Sequence, residues 1–323
     1  MINLKYRALG KTGLFVSPLS FGASSLGSVF RDIDEKEGIN TVHAAVDAGV
    51  NYIDVSPYYG ATKAEVVLGK ALKELPRDKI ILSSKAGRYG GDLFDFSYNR
   101  IIKSGQESLH RLNTDYLDLL YLHDIEFGNY AQVIEEGIPA LKYLKEQGYI
   151  RFFGVSALPL PVLKKTMEET NLDVILSYCH YSLNDMSLLE LIPDCINNKV
   201  GIVNASPLSM GLLHSNETPS WHPADHEVIR TCKKAADYCS THGEDIAKLA
   251  IQFSTRNEQI PTTLVSSASV KNMQKNIEWM EETVNESLLQ EVLSILAPIK
   301  NRTWPSGKPD YHQKVSRLGG EYL

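Results

Sequence analysis

The chain has 323 residues, a formal net charge of −6, 43% hydrophobic residues and 22% charged residues. That mixture supports a buried core without staples and excludes a disordered chain. The acidic balance leaves no basic excess for a phosphate backbone, so nucleic acid is not an expected partner. No apolar run approaches the roughly eighteen residues of a membrane helix, and the opening Met1-Ile2-Asn3-Leu4-Lys5-Tyr6 lacks the apolar stretch of a secretory leader. A cytoplasmic chain with no membrane partner is the expectation.

In chain order, Tyr6-Arg7-Ala8-Leu9 and Leu14-Phe15-Val16 flank Gly10-Lys11-Thr12-Gly13, the signature of a hairpin. Short apolar runs that stop at a small or polar residue then recur eight times. They are Pro18 to Phe21 before Gly22, Asn51 to Ile53 before Asp54, Ile80 to Leu82 before Ser83, and Leu117 to Leu122 before His123. Phe152 to Val155 before Ser156, Val174 to Leu176 before Ser177, Ile202 to Val203 before Asn204, and Thr263 to Val265 before Ser266 complete the set.

Between the runs, apolar residues fall at helical spacing, as in Ile39, Val42, Ala45 and Val46, with Asp32 or Asp34 as the start and Gly49 as the stop. Similar stretches hold Val67, Leu68 and Leu72; Ile101, Ile102 and Leu109; Leu141 and Leu144 before Gly148; and Val162, Leu163 and Met167 after Pro161. Strand and helix alternating in units of roughly thirty residues mean parallel pairing through helical crossovers. A doubly wound sheet and a (β/α)8 TIM barrel compete. Gly22-Ala23-Ser24-Ser25-Leu26-Gly27 matches a dinucleotide glycine fingerprint only weakly, and eight strands fit the barrel. The hairpin would close the bottom of that barrel. From about residue 297, Pro298, Pro305, Ser306, Gly307 and Pro309 mark an irregular C-terminal tail, and residues 1–323 read as a single domain.

In a barrel, chemistry collects at the C-terminal strand ends. Asp54, Tyr59 just beyond it, Lys85 and His123 stand there on successive strands. An ammonium beside a phenol favours the phenolate and lowers its pKa; Asp54 would fix Lys85, and His123 would orient a substrate oxygen or share the proton. The set reads as a tuned phenolic acid/base over a carbonyl or an alcohol. Arg88, Tyr89, Asp124 and Trp221 are candidates for substrate hydroxyls. His222 and His226 stand four apart, but Pro223 intervenes, and no metal is expected. Cys179, Cys195, Cys232 and Cys239 form no Cys-x-x-Cys and read as reduced thiols.

Asn51-Tyr52-Ile53-Asp54-Val55-Ser56-Pro57-Tyr58-Tyr59-Gly60, with Gly69-Lys70-Ala71-Leu72, Ser84-Lys85, Leu122-His123 and Gly154-Val155-Ser156 in order, resembles the aldo-keto reductase family from about residue 6 to 300. The resemblance implies that Tyr59 is the proton donor and acceptor of a tetrad with Lys85, Asp54 and His123. Within the family the chain is most similar to the L-galactose dehydrogenase branch. That likeness rests on Phe21 to Phe30, Gly87-Arg88-Tyr89, Phe94-Asp95-Phe96-Ser97, and His123-Asp124-Ile125-Glu126-Phe127-Gly128. It extends through Ile175 to Tyr181, Ala205-Ser206-Pro207-Leu208, Trp221-His222-Pro223-Ala224 and Trp304-Pro305-Ser306-Gly307.

The implied activity is oxidation of L-galactose, or of a related aldose such as L-fucose, at C1 to the lactone. The implied alternatives are an NADPH-dependent aldehyde reductase and a nucleotide-binding regulatory barrel. The implied cofactor is NAD, with NADP possible. Its contacts would come from Gly22, Ser24, Ser156, Ser177, Tyr178, Ser206, Leu208, Ser209, Gly211, Ser266, Ser267, Lys271, Asn272, Lys275 and Asn276. Three positions depart from the family pattern: Ala157 where Asn often follows Ser, Ser177 or Tyr178 at the usual Gln, and Ala205 at a common stacking aromatic. Ser266 and Asn272 stand where NADPH users often carry a base. The expected state is a monomer or weak homodimer.

Overall fold

In the computed structural model, which describes residues 4–29, 31–309 and 311, eight parallel strands close on themselves. They are β3 (Leu19–Gly22), β4 (Tyr52–Asp54), β5 (Ile81–Ala86), β6 (Leu117–Leu122), β7 (Ile150–Ala157), β8 (Val174–Tyr178), β9 (Gly201–Ala205) and β10 (Thr262–Ser266). Each pairs with the next, and β10 returns to β3. The (β/α)8 TIM barrel is therefore the fold. The strands run past the apolar stops read from the sequence, because Ser83-Ser84-Lys85 and Ser156-Ala157 continue the ladders with polar side chains.

Strand alternation sorts residues into two layers. Tyr52, Ile81, Leu119, Tyr121, Val174, Leu176, Val203 and Leu264 fill the lumen. Phe21, Ile53, Leu82, Leu120, Val155, Ile175 and Val265 face the helices. The same parity sends Asp54, Lys85, Tyr178 and Ser266 to the inner side of the C-terminal rim, in step with lumen residues two positions earlier.

The helical crossovers are α1 (Glu35–Asp47), α2 (Lys63–Leu72), α3 (Tyr98–Leu112), α4 (Tyr130–Gln132), α5 (Ile138–Glu146), α6 (Leu160–Glu169) and α7 (Ile192–Asn198). Of the two candidate starts for α1, Asp34 is the cap: its carboxylate accepts from Glu37 N at 2.8 Å. On the outer face of β5, Ser84 donates to the buried carboxylate of Glu65 at 2.6 Å, which Arg111 also binds at 2.5 Å. Strand, α2 and α3 are thereby tied behind Lys85.

Four further helices follow: α8 (His226–Thr241), α9 (Ile246–Arg256), α10 (Val270–Glu281) and α11 (Glu286–Leu296). Two of them separate β9 from β10, and α11 packs on α8. Asp225 and Asp245 cap α8 and α9 by accepting from the first-turn N–H groups. After α11 a 3-10 turn spans Ala297–Ile299, where the irregular tail is expected to begin, and residues 302–306 carry no regular structure; Phe30 and the tail beyond Tyr311 lie outside the described residues.

Strands β1 (Arg7–Ala8) and β2 (Phe15–Val16) form the antiparallel hairpin. Leu9, Leu14 and Val16 pack onto the lumen residues at the N-terminal end of the barrel, so the hairpin is its floor. Conservation of stability and chemistry at opposite barrel ends gives a test. Leu9 is fully buried, so Leu9→Ala should cost about 2–5 kcal/mol. It should read as a lower denaturant midpoint at constant m, with turnover at the far rim kept within about twofold.

Candidate active site

The rim is built from strand ends. Asp54 closes β4, Lys85 lies one residue before the end of β5, and His123 follows β6. Tyr59 sits in the loop after β4, which is pinned by a close backbone approach. Gly60 has φ +62° and a Cβ there would lie 2.0 Å from Gly27 O, so only glycine lets this loop meet the turn Ala23–Gly27.

Lys85 Nζ donates to Asp54 Oδ1, to Val55 O at 3.1 Å and to Tyr59 Oη at 3.2 Å. Asp54 Oδ2 accepts from Ser83 Oγ at 2.8 Å, and Ser83 in turn lies 3.0 Å from Tyr52 Oη. Lys85 is 2% exposed; burial alone would lower its pKa, but the Asp54 and Tyr59 oxygens reverse this and hold it above the usual range. Burial pushes the Asp54 carboxyl up, and Lys85 pulls it back.

Tyr59 departs from the expectation that Lys85 sets a low phenol pKa. Burial raises it, the ammonium lowers it, and burial wins, so the net direction is upward. The ring of Tyr59 meets that of His123 edge-on, with centroids 5.8 Å apart. Burial, with the charges of Lys85 and Arg88, lowers the His123 pKa well below its usual value and keeps the imidazole neutral. Ser56 Oγ accepts from Tyr58 N at 3.1 Å and lies 3.0 Å from His123 Nδ1. On the other ring nitrogen, the Asp124 carboxylate 3.5 Å from Nε2 favours the tautomer with the ring N–H on Nε2, facing the rim, and Nδ1 then accepts from the Ser56 hydroxyl.

Arg88 and Asp124 form a second ion pair beside the first. The Arg88 guanidinium lies 3.8 Å from the Tyr58 ring centroid and donates to Tyr58 Oη at 3.0 Å. The stacked rings of Phe94 and Phe127 flank its other sides. Asp124 Oδ2 is 3.5 Å from His123 Nε2, and Asp124 N donates to Ser156 Oγ at 3.1 Å. Tyr89 does not join them. Its hydroxyl accepts from Gly87 N at 3.1 Å within its own loop, and Arg100 covers its ring.

Trp221 is 52% exposed and stacks on His222 at 6.0 Å. The ring nitrogens of His222 are taken by Ser209 O and Ala224 N. Burial pushes the Cys179 thiol well above its usual range, which suits a small buried side chain rather than a nucleophile.

The dinucleotide contacts divide in the same way. Gly22, Ser156, Tyr178 and Ser266 reach the inner rim. Ser24 Oγ donates to Ser266 Oγ at 2.9 Å, and Ser25 N donates to the same oxygen at 3.0 Å. Ser177 is a correction: alternation turns it outward beside Ile175, away from the rim. Ser209 is a second: it is buried and its hydroxyl is bound to Asn184 and Ser182, so it is not free for a phosphate. Ser206 has φ +57°, and Ser209, Met210 and Gly211 follow with positive φ, shaping a loop that also carries Leu208.

Ser267 Oγ accepts from Ser269 N at 3.1 Å. Beyond it the first turn of α10 presents Lys271 and Asn272 with no side-chain cap on its N–H groups, which fits an anionic phosphate. Lys275 and Asn276 lie one turn further on. Lys275 is drawn off by the Trp279 ring at 4.4 Å and by Asp245 at 3.9 Å.

Ser56, Tyr58, Ser83, Phe94, Phe127 and Glu126 are parts that the sequence reading missed. No spacing in the sequence marks them, since Ser56 meets His123 two strands away, across the end of β5.

The family model of the Aldo/keto reductase family matches residues 18–297. L-galactose dehydrogenase of Arabidopsis thaliana is 46% identical over 95% of this chain and 99% of its own length. D-arabinose 1-dehydrogenase of Saccharomyces cerevisiae is 38% identical over 74% and 75%. A solved aldo-keto reductase from Bacillus halodurans in its holo form superposes with a TM-score of 0.78 at 28% identity, covering 94% of this chain and 99% of that one. A closed barrel with a phenol, an ammonium, a carboxylate and an imidazole at one rim, matched along nearly its whole length, places the chain in the aldo/keto reductase family of oxidoreductases.

Proposed function

We propose that the chain oxidises an aldose at C1 to the lactone, with L-galactose or a close relative such as L-fucose as substrate. NAD is the proposed hydride acceptor. The carrying observation is the half-buried Tyr59 side chain, its hydroxyl 3.2 Å from Lys85 Nζ and its ring edge-on to His123. Two similar proteins named as an L-galactose dehydrogenase and a D-arabinose 1-dehydrogenase support the substrate class, and Arg88 with Asp124 supplies a polar pair suited to ring hydroxyls.

In this reading the C1 hydroxyl lies between Tyr59 Oη and His123 Nε2. Tyr59 takes the hydroxyl proton as the C1 hydride leaves, and Lys85 stabilises the phenolate. His123, neutral and protonated at Nε2, donates to the same oxygen and fixes its place. The cofactor supplies the hydride acceptor; Ser156 and Tyr178 would hold its ring end, and the first turn of α10 its phosphates. Ser266 is uncharged and spent on Ser24 and Ser25, which favours NAD; Lys271, the one cation of that first turn, is the residue that would hold a 2′-phosphate. Michaelis constants for the two dinucleotides decide this, and a clear preference for NADP would reverse it.

Tyr59→Phe should lower kcat by about 10²–10⁴-fold and leave the dinucleotide dissociation constant, read by fluorescence titration, unchanged. Full activity would remove Tyr59 from the chemistry.

A second reading is favoured by one specific observation. The phenol pKa is raised, so in the free protein Tyr59 is a proton donor at neutral pH, the form that carbonyl reduction requires. The same fact gives the pH profile. Oxidation needs the minority phenolate, so kcat/KM for the aldose should climb about tenfold per unit from neutral pH. Reduction of an aldehyde should stay level over that range. A level oxidative profile would show that another group takes the proton.

A further inference from the structure

Glu126 has no part in the proton transfer, yet it is fully buried in the turn Ile125–Phe127 after β6. Its Oε1 accepts from Leu158 N at 3.0 Å, from Ser306 Oγ at 2.9 Å and from Tyr178 Oη at 3.4 Å. Its Oε2 is buried with no hydrogen-bond partner among the described residues. Its main-chain oxygen accepts from Lys308 N at 3.0 Å. Gly307, at φ +81°, lies so close that a Cβ there would fall 2.5 Å from Glu126 O. One residue thus grips the C-terminal segment by side chain and main chain at once.

The other end of that segment is also fixed. Trp304 is buried and meets His222 edge-on at 4.8 Å, and His222 Nε2 binds Ser209 O at 3.0 Å. Residues 304–308 therefore form a strap from the loop after β6 to the loop after β9. Its fastening at Glu126 is one side chain from Tyr178 and two residues from Asp124, both at the inner rim.

We propose that Glu126 is a positioning residue for aldose binding: it fastens the 304–308 strap across the substrate end of the rim, and it does so in its uncharged form. The aldose part rests on the function proposed above; the fastening does not. Among the groups facing Glu126, Asp124 on its own loop is anionic and already held by Arg88. Tyr178 from β8 is a neutral phenol, and β7 offers only the Leu158 N–H. No cation is paired with Glu126 among the described residues, so an ionised carboxyl there would be buried and uncompensated.

Burial, with the charge of Asp124, pushes this carboxyl up to about 8 from the usual 4.5. The closed strap binds the proton more tightly than an open one. Its advantage is complete below the ordinary carboxyl range and is lost as pH rises through about 8.

Hydrogen exchange of residues 301–309, corrected for the intrinsic pH dependence of exchange, tests this at about pH 5 and about pH 9. Wild-type protection should fall between the two. Glu126→Gln, neutral and able to accept the same bonds, should keep its protection at both. Ser306→Ala and Glu126→Ala should lose protection at both. In the same samples Ser306→Ala should raise the aldose KM about fivefold with kcat and dinucleotide affinity unchanged.

An unaltered strap in Ser306→Ala and Glu126→Ala, or the wild-type pH response in Glu126→Gln, would overturn the fastening. An altered strap with unaltered aldose KM would overturn the positioning role. If no aldose is turned over while exchange still responds, the function proposed above fails and the fastening stands.

Discussion

The rim depends on keeping one ammonium inside the barrel. Lys85 is sealed from water, and its charge is tolerable only because Asp54, Val55 O and Tyr59 Oη meet all of it. Removing one member of such a buried pair leaves the other charge stranded, at a cost of about 3–5 kcal/mol. The pair therefore locks the ends of β4 and β5 together, and the loop carrying Tyr59 must follow, since its hydroxyl completes the coordination of Nζ. Ser83 and Tyr52 extend the same polar chain down the lumen to Tyr121. The placement of the Tyr59 phenol and the stability of the barrel mouth are thus two consequences of one buried charge.

The fold was legible because a parallel barrel writes itself in repeated apolar runs, each stopped by a polar residue where the strand reaches the rim. Asp54, Lys85 and His123 were legible for the same reason: each sits at such a stop. Ser177 was misread because the run Val174 to Leu176 gives no sign of which neighbour faces inward; only the register with Leu176 in the lumen assigns Tyr178 to the rim and Ser177 to the helices. Tyr89 was misread because its loop turns back at Gly87. α8 and α9 went unread, since the strand pattern leads one to expect a single crossover between β9 and β10, and α11 because it follows the last barrel unit. Glu126 could not be found at all from the sequence, as its role exists only once residues 304–308 return from the far end of the chain.

The departures from the family pattern also become physical in the register. Tyr178 lies directly opposite Ala205 on the neighbouring strand. The small side chain at 205 leaves space beside the large one at 178, so an aromatic face is kept at the inner rim while its origin shifts by one strand. The Tyr178 hydroxyl then has to be satisfied elsewhere, and Glu126 is within reach. A substitution on β9 is in this way connected to the strap: ring, carboxyl and tail form one packed unit rather than three separate features.

The electrostatics of the rim bear on which way the reaction is poised. His123 is neutral with its proton on Nε2, and Tyr59 holds its own proton, so both groups that face the substrate oxygen are donors in the resting protein. Two donors converging on one point stabilise an oxygen that carries negative charge, whether a polarised carbonyl or a developing alkoxide. An alcohol can accept from both, but its own proton finds no acceptor between them until the phenol has lost its proton. Lys85 makes that loss easier and burial makes it harder, and in the free protein burial prevails. In the proposed direction, oxidation is accordingly helped by any further positive charge that approaches Tyr59 when the site fills, because the resident ammonium by itself does not bring the phenol pKa down.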